Sequence, residues 1–380
     1  MNYDASQRAA IEAACDPDTR DIIVTGGAGV GKTTVIRAIS EKLGNVEIMA
    51  PTGKAAARLK EATGCYAETI HRALQWDGER INRVVPFNRP VIVDESSMMD
   101  TWLLSTMLSF NPPKLILVGD PAQLAPVGKG QPFHDLVALR TDMVQELTHC
   151  WRAQGAVHKA GQMVRRGEAP LTTDVSGGET FRMVETGTAE ATEDKLIKWV
   201  KAGYFDPAQD VILSPRYGEG DRDGGIDAIN EAVRNIVNPS LDKFSNGDRI
   251  IINKNFSKDD LWNGDLGFVS DEDVSGDLWV TLDRDPGSPR LLEAEHRREM
   301  SHAYCLSVHK SQGSQFRHVY FVCLKTHWYQ LSRSLIYTAI TRAQKGVCVI
   351  GQLSAFYHGI NIVNSKRTCI QWMANSGRKV

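Results

Sequence analysis

No stretch of this sequence approaches the roughly 20 apolar residues of a membrane span, and no basic-then-apolar start resembles a signal peptide. The expected location is therefore cytoplasmic, with no membrane partner. Seven cysteines are scattered with no pair at metal-ligand or redox spacing, and the ten histidines show no metal pattern, so neither a zinc site nor a disulfide framework is expected. Repeats, low-complexity tracts and long disordered linkers are missing too. So is an overall basic surface: the net charge is −2, which alone does not point to a polyanionic partner. One further absence points the other way. From Met300 to Val380 there is no Asp or Glu, while Lys310, Arg317, Lys325, Arg333, Arg342, Lys345, Lys366, Arg367, Arg378 and Lys379 contribute +10, leaving −12 for the first 299 residues. Such asymmetry marks a polyanion-facing segment or a basic face that balances an acidic neighbour.

At 380 residues the chain exceeds the usual domain of roughly 100–200 residues, so two or three domains are expected. Short β-rich runs at Asp21–Thr25, Val46–Ala50, Val91–Val93 and Leu115–Val118 alternate with helical patterns, which predicts an α/β domain around a parallel sheet. A second α/β pattern has strands at Val211–Ser214, Val319–Cys323 and Val347–Ile350. Between Asn246 and Glu299 short strands are punctuated by turns at Asn246-Gly247-Asp248, Asn263-Gly264-Asp265, Ser275-Gly276-Asp277 and Asp285-Pro286-Gly287, a texture resembling a small inserted β-barrel. That insert carries −6, which argues against an electrostatic clamp on nucleic acid.

The strand Asp21–Thr25 runs into Gly26-Gly27-Ala28-Gly29-Val30-Gly31-Lys32-Thr33, followed by Thr34 and an apolar helical pattern, which is a complete P-loop in its strand–loop–helix context. Glycines let backbone N–H groups turn inward around phosphates, Lys32 brings charge to the β and γ phosphates, and Thr33 offers a hydroxyl to Mg²⁺. Val91-Ile92-Val93-Asp94-Glu95 ends in two carboxylates, suited to Asp94 holding Mg²⁺ and Glu95 polarising the attacking water. Gln123, after the strand at Leu115–Val118, could sense the γ-phosphate. Two readings of Gln7 stay open: Asp4-Ala5-Ser6-Gln7 is a capping box for a helix start, and a planar amide can equally bond adenine.

In this order the motifs resemble superfamily 1 helicases, in particular the RecD/Dda-like branch that moves 5′ to 3′ on single-stranded DNA, and the likeness spans nearly the whole chain. Besides adenine-binding Gln7, the P-loop and Asp94-Glu95, it rests on Ala50-Pro51-Thr52-Gly53-Lys54-Ala55-Ala56, Thr69-Ile70-His71, Arg152, Ser307-Val308-His309-Lys310-Ser311-Gln312-Gly313-Ser314 and Tyr337-Thr338-Ala339-Ile340-Thr341-Arg342-Ala343. The resemblance implies DNA contacts at Pro51, Thr52, Lys54, His71, Ser307 and His309. It implies ATP contacts that include Gln312 and Gly313, a first γ-phosphate arginine at Arg152 and an arginine finger at Arg342. The implied fold is two RecA-like P-loop NTPase domains with an SH3-like β-barrel insert: 1–145 with a short hairpin near 74–88, then 146–245 plus 300–380, and the insert at 246–299.

The expected activity is ATP hydrolysis in the cleft between the domains, coupled to DNA unwinding, by a monomer acting on single-stranded DNA and single-strand/duplex junctions. Replication or recombination proteins are the implied partner class, and chain size suggests a bacterial or phage-infected cell. Only 22 residues separate His71 from Asp94, leaving room for a short strand-splitting pin around Asp77-Gly78. Phe87 and Trp76 are candidate wedge aromatics, each reading first as core. Two rival readings are a translocase or protein-displacing motor that barely unwinds, and a non-motor ATP switch subunit.

Overall fold

The computed structural model describes residues 3–150, 155–174, 179–218, 223–256, 259–272, 277–366 and 368. They fall into two compact units, one of the described residues up to 150 together with 364–366 and 368, the other of the described residues from 155 to 363. Among the described residues no helix is long and apolar enough to cross a membrane.

The first unit is built on a parallel sheet of β1 (Asp21–Thr25), β2 (Glu47–Ala50), β3 (Ala67–Thr69), β4 (Val91–Val93), β5 (Leu115–Gly119) and β6 (Val144–Glu146), in the order β3-β2-β4-β5-β1-β6. Its helices are α1 (Ala5–Cys15), α2 (Lys32–Leu43), α3 (Gly53–Thr63), α4 (Ile70–Ala73), α5 (Thr101–Ser109) and α6 (Pro132–Leu139). The central strands β4 and β5 are buried along their whole length, as unbroken Val/Ile/Leu runs require when helices cover both faces. Ile22, Val24, Ile92, Ile116 and Val118 pack with α1, α2 and α3, whereas Ile23, Met49, Val91, Val93, Leu115 and Leu117 face Leu103, Met107 and Phe133. Side chains alternate across a strand, so each strand feeds both layers. Local chemistry sets the helix ends: Asp100 caps α5 through Leu103 N–H, and α3 runs from its Thr52 cap to Gly64, whose φ of 71° stops it.

The second unit carries α7 (Ala156–Arg166), β7 (Thr173–Asp174), β8 (Thr180–Glu185), α8 (Ala189–Lys201), β9 (Val211–Ser214) and α9 (Ile226–Val237) before the insert. After it come β15 (Cys305–Ser307), β16 (Phe316–Cys323), α11 (Arg333–Thr341), β17 (Ala343–Gly351) and α12 (Leu353–Asn361). The sheet order is β15-β9-β16-β17-β8-β7, parallel except for β7. Strands predicted at 319–323 and 347–350 are longer than expected because Phe316 and Ala343 already pair.

The insert contains β10 (Arg249–Ile252), β11 (Leu266–Glu272), β12 (Leu278–Leu282), β13 (Asp285–Leu292), α10 (Ala294–Arg298) and β14 (Met300–His302), an antiparallel sheet ordered β13-β12-β11-β10-β14. Gly247 and Gly264 take φ of 91° and 94°, as their turns need. One expectation changes here. Asp285-Pro286-Gly287 does not turn but opens edge strand β13, where a proline costs no ladder bond; the reversal comes at Asp283-Arg284. The described pairings also form an open sheet with β13 and β14 at its edges.

A second difference concerns the C-terminus. Residues 364–366 and 368 group with the first unit rather than with 300–363, because Lys366 donates from its ammonium to the carbonyls of Pro126, Val127 and Gly128 and from its N–H to Gln131.

Candidate functional site

Three adjacent strands of the first sheet, β4, β5 and β1, end side by side, and each is followed by one of the polar motifs. In open α/β sheets ligands lie outside the carboxyl ends of the strands. The P-loop leaves β1 at Gly26, whose N–H donates to Gly119 O of β5 at 3.2 Å. A Cβ on Gly26 would lie 2.6 Å from the Val30 Cγ2, so the loop closes this tightly only with glycine there. Gly31, at φ 86°, turns the chain into α2, and no side chain caps that helix start. Its first N–H groups and positive dipole end are thus presented from the loop. Lys32 donates to the carbonyls of Gly26 at 2.7 Å and Gly27 at 2.9 Å, while Thr33 and Thr34 are half-buried on the first turn.

At the β4 tip Glu95 has a left-handed backbone, φ 50° and ψ 36°, costly for a residue with a Cβ and held by its N–H bond to Asp94 Oδ1 at 2.8 Å. Burial, with the charge of Glu95 second, pushes the Asp94 carboxyl up to about 6. Glu95 Oε2 is buried with no hydrogen-bond partner among the described residues. An orphaned carboxylate oxygen beside a carboxyl that resists ionisation is an oxygen donor set short of positive charge, which is what a hard divalent cation such as Mg²⁺ supplies. Asp94 and Thr33 fit as its protein ligands.

After β5, Asp120 is fully buried and its Oδ1 accepts from Ala122 N–H at 3.0 Å. Gln123 is buried too, and its Oε1 has no partner among the described residues. His134, which the sequence reading passed over, sets Nε2 3.4 Å from the Gln123 carbonyl, and burial lowers its pKa.

For Gln7 the capping box forms: Asp4 Oδ1 accepts from Gln7 N–H at 2.9 Å and Gln7 Oε1 accepts from Asp4 N–H at 3.3 Å. Its Nε2 donates to Val30 O in the P-loop at 3.2 Å, so the amide is also tied to the nucleotide loop.

The expected DNA contacts of this unit sit at the ends of β2 and β3. These strands pair in register, Ala50 beside Thr69, so the segments carrying Pro51, Thr52 and Lys54 and carrying His71 leave the sheet from adjacent strand ends. Thr52 Oγ1 caps α3 through Ala55 N–H at 3.2 Å, and His71 is half-buried with its pKa lowered by burial. The short pin is a hairpin closed by a single bridge, Trp76 to Ile81, with Asp77 accepting from Glu79 N–H, Arg80 N–H and Asn82 Nδ2. Phe87 is buried under the Arg83 guanidinium, so it is core and not a wedge. Trp76 is half-buried against Trp102, an exposed aromatic the sequence reading missed.

Arg152 lies outside the described residues. In the second unit Ser307 is buried at the end of β15 and accepts from Lys310 N–H at 3.2 Å, His309 is exposed, and Lys310 donates to Asn253 Oδ1 of the insert at 2.6 Å. Gln312 is buried with Nε2 unpartnered among the described residues, and Gly313 turns at φ 74°. Arg342 caps α11, buried, and donates to Thr338 O at 3.2 Å and Ser314 O at 3.4 Å. The two motifs of this unit, far apart in sequence, therefore meet at Ser314 and Arg342.

The sequence matches the AAA domain family over residues 2–186 and the UvrD-like helicase C-terminal domain over residues 302–350. It is 32% identical over 357 residues to the ATP-dependent RecD2 DNA helicase of Deinococcus radiodurans, covering 89% of this chain and 48% of that protein. To the RecD subunit of the RecBCD enzyme of Mycolicibacterium smegmatis it is 29% identical, covering 91% of this chain and 70% of that one. The chain thus spans about half the length of the first relative. Among solved structures, a Pif1 helicase from Bacteroides in complex with ADP-AlF3 and ssDNA superposes with a TM-score of 0.56 at 17% identity, covering 99% of this chain and 97% of that one. A P-loop at β1, paired carboxylates at β4, a second sheet carrying the last two motifs and these matches together make the chain similar to superfamily 1 helicases of the RecD-like kind, with a fold similar to that of the Pif1 helicase.

Proposed function

We propose that the chain is an ATP-dependent DNA helicase that translocates on single-stranded DNA, in the 5′ to 3′ direction of the RecD-like branch. The observation that carries it is the convergence of Lys32, Asp94, Glu95 and Gln123 at the carboxyl ends of β1, β4 and β5, with unpartnered buried oxygens on Glu95 and Gln123. The helix start at Thr33 and the loop amides hold the phosphates, Asp94 and Thr33 hold Mg²⁺, and Glu95 takes a proton from water. Mg²⁺ supplies neutralisation of phosphate charge. Gln7 and Gln312-Gly313 contribute to nucleotide recognition, and Arg342, with Arg152, supplies positive charge to the γ-phosphate. DNA contacts fall to Pro51, Thr52, Lys54, His71, Ser307 and His309, and residues 246–299 form an SH3-like insert. Relatives named as helicases favour this reading over a non-motor ATP switch.

The test is ATP hydrolysis with and without single-stranded DNA, followed by unwinding of 5′- and 3′-tailed duplexes. Single-stranded DNA should raise turnover, and only the 5′-tailed duplex should open. Lys32→Ala should abolish hydrolysis while strand binding survives, because its charge serves phosphate rather than DNA. A wild-type rate indifferent to DNA would sink the motor reading.

A further inference from the structure

The hydrolysis motifs leave one cluster of the first unit unused. His71 on α4, Trp76 at the base of the hairpin and Trp102 on the first turn of α5 form a run of three rings. His71 and Trp102 are stacked with centroids 6.4 Å apart and planes 29° apart, and Trp76 meets Trp102 edge-on at 5.3 Å and 69°. Trp102 keeps 46% of its surface exposed, a large outlay for the biggest apolar side chain when the core is adjacent. Its position is fixed from both sides: Asp100 caps α5 through Leu103 N–H at 2.8 Å, and Trp76 N–H donates to His71 O at 2.9 Å.

We propose that Trp102 is a nucleobase-stacking platform, on which a base of the bound single strand lies after leaving His71. This rests on the reading of the chain as a single-strand motor. Three observations favour a base over other occupants. The cluster continues the row of strand ends that carries Pro51, Thr52 and His71, since β3, β2 and β4 are neighbours in the sheet and Asp100-Thr101-Trp102 follows β4. Two carboxylates adjoin the rings: Asp77 follows Trp76 in the chain, and Asp100 acts electrostatically on His71. Two carboxylates repel a phosphate but not the face of an uncharged base. Finally, the rings are pre-positioned, so a base meets a flat aromatic face at little cost in ordering; stacking of this kind tolerates every base because each has a π face.

The experiment measures binding of fluorescein-labelled oligothymidylate and of an abasic oligonucleotide of equal length, by anisotropy, to wild type, Trp102→Ala and Trp102→Phe, with melting temperatures for all three. Wild type should bind oligothymidylate more tightly than the abasic strand. Trp102→Ala should lose about five- to a hundredfold on oligothymidylate and little on the abasic strand, and Trp102→Phe should recover most of the loss. Unchanged affinity in Trp102→Ala would overturn the proposal while leaving the motor reading intact, and so would equal weakening on both strands, which is a structural effect. Wild type that binds neither strand would remove the motor reading and the platform with it.

Discussion

Arg342 shows how a single residue can be predicted for chemistry and found in a structural setting. Its guanidinium is buried at the end of α11 and donates to two main-chain carbonyls, Thr338 O and Ser314 O. Those bonds fix the fork in one orientation and join the α11 end to the turn before β16. In Arg342→Ala both carbonyls lose a charged donor in a buried place, a loss of about 1–3 kcal/mol of stability. In the proposed arginine-finger role the residue would meet charge that develops only in the transition state, and on that proposal the alanine variant should lose on the order of 10³- to 10⁵-fold in DNA-stimulated turnover, with nucleotide affinity falling far less. Arg342→Lys should restore part of the stability and little of the rate, because an ammonium lacks the planar fork. Stopped-flow nucleotide binding and steady-state hydrolysis on both variants decide this. Near-normal turnover in a stably folded alanine variant would leave only the structural role. Gln7 makes the same point from the other side: its capping box was legible from Asp4-Ala5-Ser6-Gln7, but the bond from Nε2 to Val30 O, 23 residues away, was not.

Among the elements, the short helical turn after β16 holds the least expected group. His327 is fully buried, and neither ring nitrogen has a hydrogen-bond partner among the described residues. Burial, with the nearby Arg216 charge second, lowers its pKa to about 4. The folded state therefore resists a proton that the unfolded chain accepts at about 6.5. Stability from this residue is full above pH 6.5 and is lost as pH falls from there towards 4. Between pH 7 and pH 5 the loss amounts to about 2 kcal/mol. Denaturant unfolding at the two pH values should show that drop in wild type and a smaller one in His327→Met; identical pH dependence in both proteins would mean that His327 is solvated or paired in solution. Strand boundaries at this scale were readable where both faces are buried, as at β4 and β9, which match the apolar runs residue for residue. The short strands β3, β6 and β15 were not, because three residues at or near a sheet edge carry no period of their own.

Across the whole molecule the acid-free C-terminal stretch has a different meaning in three dimensions. Arg317 pairs with Asp210 and Asp206, Arg333 donates to Ile360 O, Lys310 is held by Asn253, and Lys366 is turned into the carbonyls of residues 126–128. These cations serve the fold, so among the described residues of this stretch few are left facing a strand. The logarithm of DNA affinity should fall with the logarithm of salt at roughly −0.7 per phosphate contacted. Lys54→Ala should make that slope shallower by about 0.7. Lys366→Ala should leave the slope unchanged and lower the melting temperature, and a shallower slope in that variant would return Lys366 to the DNA surface. The sequence by itself determined the strand–loop–helix of the P-loop, the carboxylates at the tip of β4 and the order of the helicase motifs, because each depends on neighbours within a few residues. Only the tertiary structure decided that β4, β5 and β1 lie side by side, that Trp102 stacks on His71, that Phe87 is core and that the tail at Lys366 belongs with the first unit. Each of those depends on pairings between segments distant in the chain, and what selects them is burial and hydrogen-bond satisfaction over the whole fold, which no local window of sequence contains.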